Sequence, residues 1–221
     1  MKTLIIIPAF NESKNLKSLI EDIKSYNYDY LIVNDKSTDN TEELCFREGF
    51  NVLNLPTNLG IAGVTRVGFK YAKDNDYDCV VCVDGDGQHQ PKYVHSLIKE
   101  IEIGGDYVVG SRFVSEKKPW TMRMLGSRIF CFLIKLKTGV KVSDPTSGMR
   151  ALGKKTINEF AKEMNFYAEP DAMCYLMRKG YKVKEVQVEM LERQGGKSYF
   201  VNPFKVIKYM VGVVLSIVFA R

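Results

Sequence analysis

Short apolar runs at residues 4–7, 30–33, 52–55, 79–83 and 107–109 constrain this chain more than any other feature, because stretches of helical pattern separate them. Runs of that length, partly β-branched, read as buried strands. Their alternation with helices predicts an α/β fold with a mainly parallel central sheet flanked by helices. The first intervening helix is the clearest: Leu16, Leu19, Ile20 and Ile23 repeat at three-to-four spacing, with Asn11 or Ser13 placed to cap it. Further helices are expected over 41–47, 61–73 and 91–103, the last opening with Pro91, whose missing N–H is harmless there.

Most of these runs give way at once to polar residues. Pro8-Ala9-Phe10-Asn11-Glu12 succeeds the first, Asn34-Asp35-Lys36-Ser37 the second, Asp84-Gly85-Asp86 the fourth and Gly110-Ser111-Arg112 the fifth. Parallel strands put their carboxyl ends on one edge of the sheet, which is where open α/β sheets bind ligands. One site built from several loops is the expectation.

At 221 residues the chain suits one α/β domain, expected over 1–200 and followed by an apolar helix over 201–221; a chain of this size buries about 70% of its unfolded surface. With 45% hydrophobic and 26% charged residues it is not a disordered chain. The net charge of +6 suits an anionic substrate or membrane surface, and without zinc-finger spacing or an aromatic RNP-type strand no nucleic-acid partner is expected. Cys45, Cys79, Cys82, Cys131 and Cys174 are scattered and read as core thiols of a reducing compartment. The start of the chain does not read as a signal peptide, and no apolar stretch reaches the roughly 18–20 residues of a membrane span. A cytoplasmic location is therefore expected, peripheral on the membrane at most.

Beyond Phe113 the texture changes to a basic aromatic stretch (Lys117, Lys118, Trp120, Arg123, Arg128) and a helix over 129–136. Residues 144–150 read as a polar loop, 155–164 and 170–178 as helices, and Val186, Val188 and Met190 as a half-buried strand.

Asp84 and Asp86 flank a glycine that turns freely at the end of a buried strand. Two such carboxylates can converge on a hard divalent cation, Mg2+ or Mn2+, that also takes phosphate oxygens. A solvated turn is the plain alternative, and the neighbouring strands that also end in polar loops favour the site. Gln88 adds a polar contact, whereas His89 alone reads as a supporting or surface histidine. Asp35, at its strand end, can accept hydrogen bonds from a nucleobase or ribose, while Ser37, Thr38 or Asp39 can cap the next helix. Asn58-Leu59-Gly60-Ile61-Ala62-Gly63 opens a helix whose N–H groups can face phosphate. It lacks the full Gly-x-Gly-x-x-Gly pattern, so a dinucleotide site is not expected, and Gly63 reads as a close helix-to-sheet contact.

Taken in order, Pro8 to Glu12, Asn34 to Asp39, Asn58-Leu59-Gly60, Asp84-Gly85-Asp86-Gly87-Gln88-His89-Gln90-Pro91 and Gly110-Ser111-Arg112 resemble the family 2 glycosyltransferases of the GT-A fold. The likeness covers residues 3–199 and is strongest to dolichyl-phosphate mannose and polyprenyl-phosphate glucose synthases. It implies that Pro8, Ala9, Asn11, Glu12 and Asp35 line the nucleoside pocket for a UDP- or GDP-sugar, with Asp84 and Asp86 at the metal and diphosphate and Gln88 beside them. Asp144-Pro145-Thr146-Ser147-Gly148-Met149-Arg150 is similar to the family's Asp-x-x-Ser-Gly-Phe-Arg segment, and Arg193-Gln194-Gly195-Gly196-Lys197-Ser198 to its Arg-x-Gly-x-Ser-Lys-like segment. Both bring cations towards the phosphates. Inversion at the anomeric carbon is also implied. Asn34-Asp35-Lys36-Ser37 departs from the family's frequent Asp-Asp-Gly-Ser, leaving uracil and guanine both open.

Sugar transfer of this kind builds negative charge on the leaving nucleoside diphosphate, so fixed positive charge is the main requirement. The cation on Asp84 and Asp86 is expected to supply most of it, with Arg112, Arg150, Arg193 and Lys197 as further candidates. A lipid monophosphate acceptor is already ionised and needs no base; a glycan hydroxyl requires Asp171 or Glu169 to take its proton, unless Glu169-Pro170-Asp171 is only an acidic helix start. The expected catalytic set is Asp86, Arg112 and Asp171. The region past Phe113 reads as an acceptor-facing extension. The charge-free run 209–220, preceded by Lys205 and Lys208, suits an anionic membrane surface, a partner, or the protein's own core. A non-catalytic nucleotide-sugar binding homologue is the alternative function. A nucleotidyltransferase would need a glycine-rich loop after the first strand, which residues 8–12 do not offer. The sugar and the oligomeric state stay open.

Overall fold

The computed structural model describes residues 1–162, 169–192 and 203–219. The chain opens with β1 (Thr3–Ala9), crosses through α1 (Leu16–Ser25) to β2 (Asp29–Asn34), and passes through α2 (Thr41–Arg47) to β3 (Val52–Asn54). Helix α3 (Gly60–Asp74) returns it to β4 (Cys79–Cys82), and a 3-10 turn at Pro91–Tyr93 leads α4 (Val94–Glu102) into β5 (Tyr107–Ser111). After α5 (Met122–Thr138) come β6 (Arg150–Gly153), α6 (Lys154–Lys162), α7 (Glu169–Arg178), β7 (Val183–Gln187) and α8 (Pro203–Phe219).

The strands form one seven-stranded sheet in the order β3-β2-β1-β4-β6-β5-β7. Every pairing is parallel except those of β6, which runs antiparallel to both β4 and β5. Two reversals cancel, so β4 and β5 point the same way. The carboxyl ends of β1, β2, β4 and β5 therefore share one edge, as the sequence predicts. The pattern does not predict β6: residues 144–150 read as a loop, yet Arg150 starts the strand and pairs with Cys82 on one side and Val109 on the other. Ladder partners on both flanks override a segment with little strand signal of its own.

Side chains alternate across the sheet with period two. Leu4, Ile6, Val80 and Cys82 enter one apolar cluster with Val64 and Phe69 of α3, Phe130 of α5 and Phe160 of α6. Ile5, Ile7, Cys79 and Val81 enter the other, under the buried stripes of α1 (Leu16, Leu19, Ile20, Ile23) and α4 (Val94, Leu97, Ile98, Ile101). Each large apolar side chain so buried contributes roughly 1.5–3 kcal/mol. Val213 and Ile217 of α8 belong to the first cluster, so the tail helps complete the core. Among the described residues no helix is long and apolar enough to cross a membrane.

Cys79 and Cys82 fall on opposite faces and make no pair, and all five cysteines are free. Burial pushes the Cys45 thiol up to about 11 and Cys79 up to about 12, which suits inert core thiols.

Three local expectations are corrected. The cap position of α1 is Asn15, without a side-chain capping bond. Asn11 is instead left-handed (φ 60) and accepts the N–H groups of Thr38 at 2.7 Å and Asp39 at 3.2 Å, while Ser13 Oγ donates to Asp39 at 2.7 Å. Both residues tie the first strand-end loop to the second. The close helix-to-sheet contact expected at Gly63 belongs to Gly68, where a Cβ would lie 2.6 Å from Ile6 Cδ1 and 2.7 Å from Ile6 Cγ2. Finally, β7 ends at Gln187, before the alternation predicts, and Met190 pairs with His89 in an isolated antiparallel bridge.

Gly68→Ala is accordingly expected to destabilise the protein by about 1–3 kcal/mol through overpacking, with Ile6→Val restoring part of the loss by removing Cδ1. Urea unfolding of the single and double variants checks this, and a neutral Gly68→Ala would refute the close approach.

Candidate active site

Four strand-end loops meet at the carboxyl edge. Pro8 and Ala9 end β1, and the next loop packs directly on the β4 turn: a Cβ on Gly85 would lie 3.1 Å from the Pro8 carbonyl oxygen and 3.4 Å from Glu12 Cγ. Glu12 is held from both sides, its backbone N–H donating to Thr41 Oγ1 at 3.0 Å and its carboxylate accepting from Asn15 Nδ2 at 2.8 Å. The β1 and β2 ends are linked by Asp35 N–H donating to the Ala9 carbonyl at 2.9 Å. The buried Asp35 carboxylate accepts the N–H groups of Leu59 at 2.7 Å and Gly60 at 2.9 Å. Those α3 amides, which the sequence offers to a phosphate, are thus occupied by a carboxylate of the chain itself. The anion site expected there is replaced by a clamp between β2 and α3.

The β4 turn carries the acidic pair. Asp86 is buried and accepts the Gln88 N–H at 3.0 Å, which closes the turn. His89 is buried beneath Asp84: its Nδ1 accepts the Asp84 N–H at 2.9 Å, leaving the proton on Nε2, which lies 3.7 Å from Asp84 Oδ2. His89 is therefore a support for the Asp84 side chain and not a surface group. Gln88 lies beside the pair, and its carboxamide nitrogen donates to the Leu191 carbonyl at 3.2 Å, fastening the turn to the segment after β7. Asp84 follows the buried strand β4 and keeps 38% of its side-chain surface open, with the rest buried. That burial, with the nearby carboxylates of Asp86 and Glu169, pushes its carboxyl above the usual range against the pull of His89 and Arg150.

The loop 144–150 runs along the same edge. Asp144 is fully buried and grips Arg112 with both oxygens, from Nε at 2.7 Å and Nη2 at 2.9 Å. Glu185 of β7 holds this loop by accepting the N–H groups of Ser143 at 2.8 Å and Asp144 at 2.9 Å. Ser147 Oγ donates to the Gly110 carbonyl at 2.5 Å. Gly148 then passes so close to the acidic turn that a Cβ would sit 2.8 Å from Asp84 Oδ2 and 3.2 Å from His89 Cε1. Sequence reasoning misses the parts of Asp144 and Glu185 in holding the loop. The available signal for Glu185 is a carboxylate set between Val183 and Val186 in an otherwise half-buried strand.

Arg150, the first residue of β6, is buried and pairs with Glu169 Oε1 at 3.2 Å; its Nε has no hydrogen-bond partner among the described residues. Burial works against its charge, but Tyr107, Glu169 and Cys82 hold it well above the ordinary guanidinium value. Glu169 is thus coupled electrically to both Arg150 and Asp84. Asp171, two residues on, is buried and accepts from Ser216 Oγ of α8 at 2.5 Å, in the contact between α7 and α8. Arg193 and Lys197 lie outside the described residues.

Asp84 and Asp86 are hard oxygen donors of the kind Mg2+ and Mn2+ share with substrate phosphates and water. Among the described residues no three Asp, Glu, His or Cys side chains form a ready cage. The hydrogen at Gly148, where any side chain would strike Asp84 Oδ2, keeps that oxygen accessible. The residues present therefore fit a divalent ion that takes most of its remaining ligands from the substrate.

The family model described as glycosyl transferase family 2 matches residues 4–160. The chain is 31% identical to dolichol-phosphate mannosyltransferase of Pyrococcus furiosus, over 90% of its own length and 59% of that protein. It is 29% identical to UDP-N-acetylglucosamine–dolichyl-phosphate N-acetylglucosaminyltransferase of Methanococcus voltae, over 85% of its own length and 84% of that protein. Glucosyl-3-phosphoglycerate synthase of Mycobacterium tuberculosis, solved with Mn2+, UDP-glucose and phosphoglyceric acid, superposes with a TM-score of 0.74 at 16% identity, covering 98% of this chain and 78% of the other. The architecture is that of the GT-A fold.

Asp144→Ala strips the mostly buried Arg112 guanidinium of its partner and is expected to lower the unfolding free energy by about 2–4 kcal/mol. Urea denaturation measures it; a change below about 1 kcal/mol, the range of an exposed pair, would show that this ion pair does not hold the loop.

Proposed function

The chain belongs to glycosyl transferase family 2, and from that premise we propose that it moves a hexose from a nucleotide diphosphate sugar to the phosphate of a polyprenyl lipid, with inversion at the anomeric carbon. The observation that carries this reading is the Asp84-Gly85-Asp86 turn at the carboxyl edge, with Gly148 leaving Asp84 Oδ2 clear. When bound there, Mg2+ or Mn2+ would neutralise charge developing on the diphosphate as the sugar departs. His89 holds Asp84 in place, and the Asp86 bond to the Gln88 N–H fixes the turn, so the carboxylates need little reorganisation during the reaction. Pro8, Ala9, Asn11, Glu12 and Asp35 are the proposed nucleoside-side residues. Arg112 is charge-balanced by Asp144, so Arg193 and Lys197 are the preferred cations for the phosphates.

Two observations support a phosphate acceptor over a glycan hydroxyl. The carboxylate of Asp171 is engaged by Ser216 and that of Glu169 by Arg150, so neither stands ready as a general base. Both relatives are named for transfer to a dolichyl phosphate, and they differ in the sugar they move. A peripheral position on the cytoplasmic face of the membrane accords with such an acceptor.

The test is a transfer assay with UDP-glucose, UDP-N-acetylglucosamine and GDP-mannose, each with Mg2+ or Mn2+ and a detergent-solubilised polyprenyl phosphate. A lipid-linked sugar and a free nucleoside diphosphate are the expected products. Asp84→Asn and Asp86→Asn should each lower kcat/KM about a hundredfold or more, and Gly148→Ala should weaken the apparent Mn2+ affinity about tenfold in a folded protein. Asp171→Asn should leave kcat within severalfold of the parent; a loss of about a hundredfold would favour a hydroxyl acceptor and a base at Asp171.

A further inference from the structure

Two neighbouring helices leave apolar ridges in solvent. On α5 the exposed residues Met122, Leu125, Ile129, Phe132 and Leu136 succeed one another at three-to-four spacing. The opposite side of the same helix buries Met124, Phe130 and Ile134. On α8 the exposed residues Ile207, Val211, Leu215 and Phe219 recur every fourth position, while Val213 and Ile217 are buried. The helices touch directly: Lys137 Nζ donates to the Val218 carbonyl at 2.8 Å, and Phe130 meets Tyr209 edge to face. A helix that is apolar on its core side and again on its outer side calls for a second apolar environment. Phe132 is 66% exposed and Phe219 77% exposed, well beyond scattered surface hydrophobicity.

The charge around these ridges identifies the environment. Residues 117–143 hold seven basic side chains and no acidic one, and residues 203–221 hold three more and again no acid. Removing those ten positive charges turns the chain's +6 into −4, so the whole basic excess lies in these two segments. Lys117, Lys118, Arg128, Lys135 and Lys141 enter no ion pair among the described residues. Trp120, 84% exposed just before α5, lies under the Arg128 guanidinium at 4.2 Å, an aromatic–cation pair of the kind found where hydrocarbon meets headgroups.

We propose that the outer ridges of α5 and α8 form one docking surface for an anionic lipid bilayer, with both helices lying in the headgroup region and neither crossing it. Apolar ridges rimmed with lysine and arginine match such a surface in both hydrophobicity and charge. A second copy of the chain would meet the same basic rim and be repelled. The α5 ridge starts next to the strand-end edge, where Lys118 bonds Ser127 Oγ at 2.9 Å and sits over Phe113 beside Arg112. Docking therefore brings the cleft to the bilayer surface; that consequence rests on the lipid-phosphate reading, whereas the docking itself does not.

Trp120 is the chain's one tryptophan, so its fluorescence reports on this surface alone. The full chain is mixed with vesicles of phosphatidylcholine, with and without phosphatidylglycerol and without any polyprenyl phosphate. With anionic vesicles the Trp120 emission should shift to the blue, brominated acyl chains should quench it, and the protein should float with the lipid. Phe132→Ser with Leu136→Ser, and separately Val211→Ser with Leu215→Ser, should each weaken partitioning about tenfold or more, and Lys135→Glu with Lys141→Glu should erase the preference for anionic lipid. These positions are exposed, and circular dichroism verifies that each variant folds. An unshifted emission with the protein left in the aqueous layer would overturn the proposal. So would a dimer in sedimentation that Phe132→Ser with Leu136→Ser dissociates while flotation is absent, since the ridges would then bind a second copy. Flotation without transfer to polyprenyl phosphate in detergent would uphold the docking and reject the acceptor assignment instead.

Discussion

One reversed strand organises the site. β6 enters the sheet at Arg150, between Cys82 and Val109, and so draws the preceding loop along the carboxyl edge of the sheet. The loop is pinned in sequence order by Asp144 on Arg112, by Ser147 on the Gly110 carbonyl, and by Gly148 against Asp84 and His89. Asp84 has a histidine beneath and a backbone wall beside it.

The same edge shows how the chain spends its charges. Asp35 clamps α3, Asp144 neutralises Arg112, Glu185 holds two loop amides and Glu169 balances Arg150. These groups are buried or half-buried, and each has a partner because an unpaired charge in such a place would cost several kcal/mol. Asp84 differs in that no lysine or arginine pairs with it among the described residues, and the Nε2 of His89 lies 3.7 Å from its carboxylate. That contrast at Asp84 supports the cation proposed for the acidic turn.

Much of the fold was legible because apolar runs of strand length alternate with helical stripes, so β1, β2, β4, β5 and helices α1 to α4 follow from periodicity. β6 was not legible, since Arg150-Ala151-Leu152-Gly153 carries a charge and a glycine and owes its conformation to neighbours on both sides. The roles of Asn11 and Ser13 are hidden from a local pattern because their partners, Thr38 and Asp39, are distant in sequence. Gly68 outranks Gly63 for a geometric reason: it shares a helix face with Val64 and Ala72, which point into the sheet. For the candidate site, the sequence shows which residues end the strands. Which of them were already engaged, as Asp35 and Asp171 are, depends on tertiary hydrogen bonds that no local pattern encodes.

The central claim is that Asp84 and Asp86 together hold a divalent ion against a nucleoside diphosphate. Electron paramagnetic resonance of Mn2+ titrated into the protein with UDP or GDP tests it without relying on turnover. A bound-ion signal that appears with nucleotide and disappears in both Asp84→Ala and Asp86→Ala is the predicted result. An unchanged signal in the double variant, or none in the parent protein at saturating nucleotide, would contradict the account.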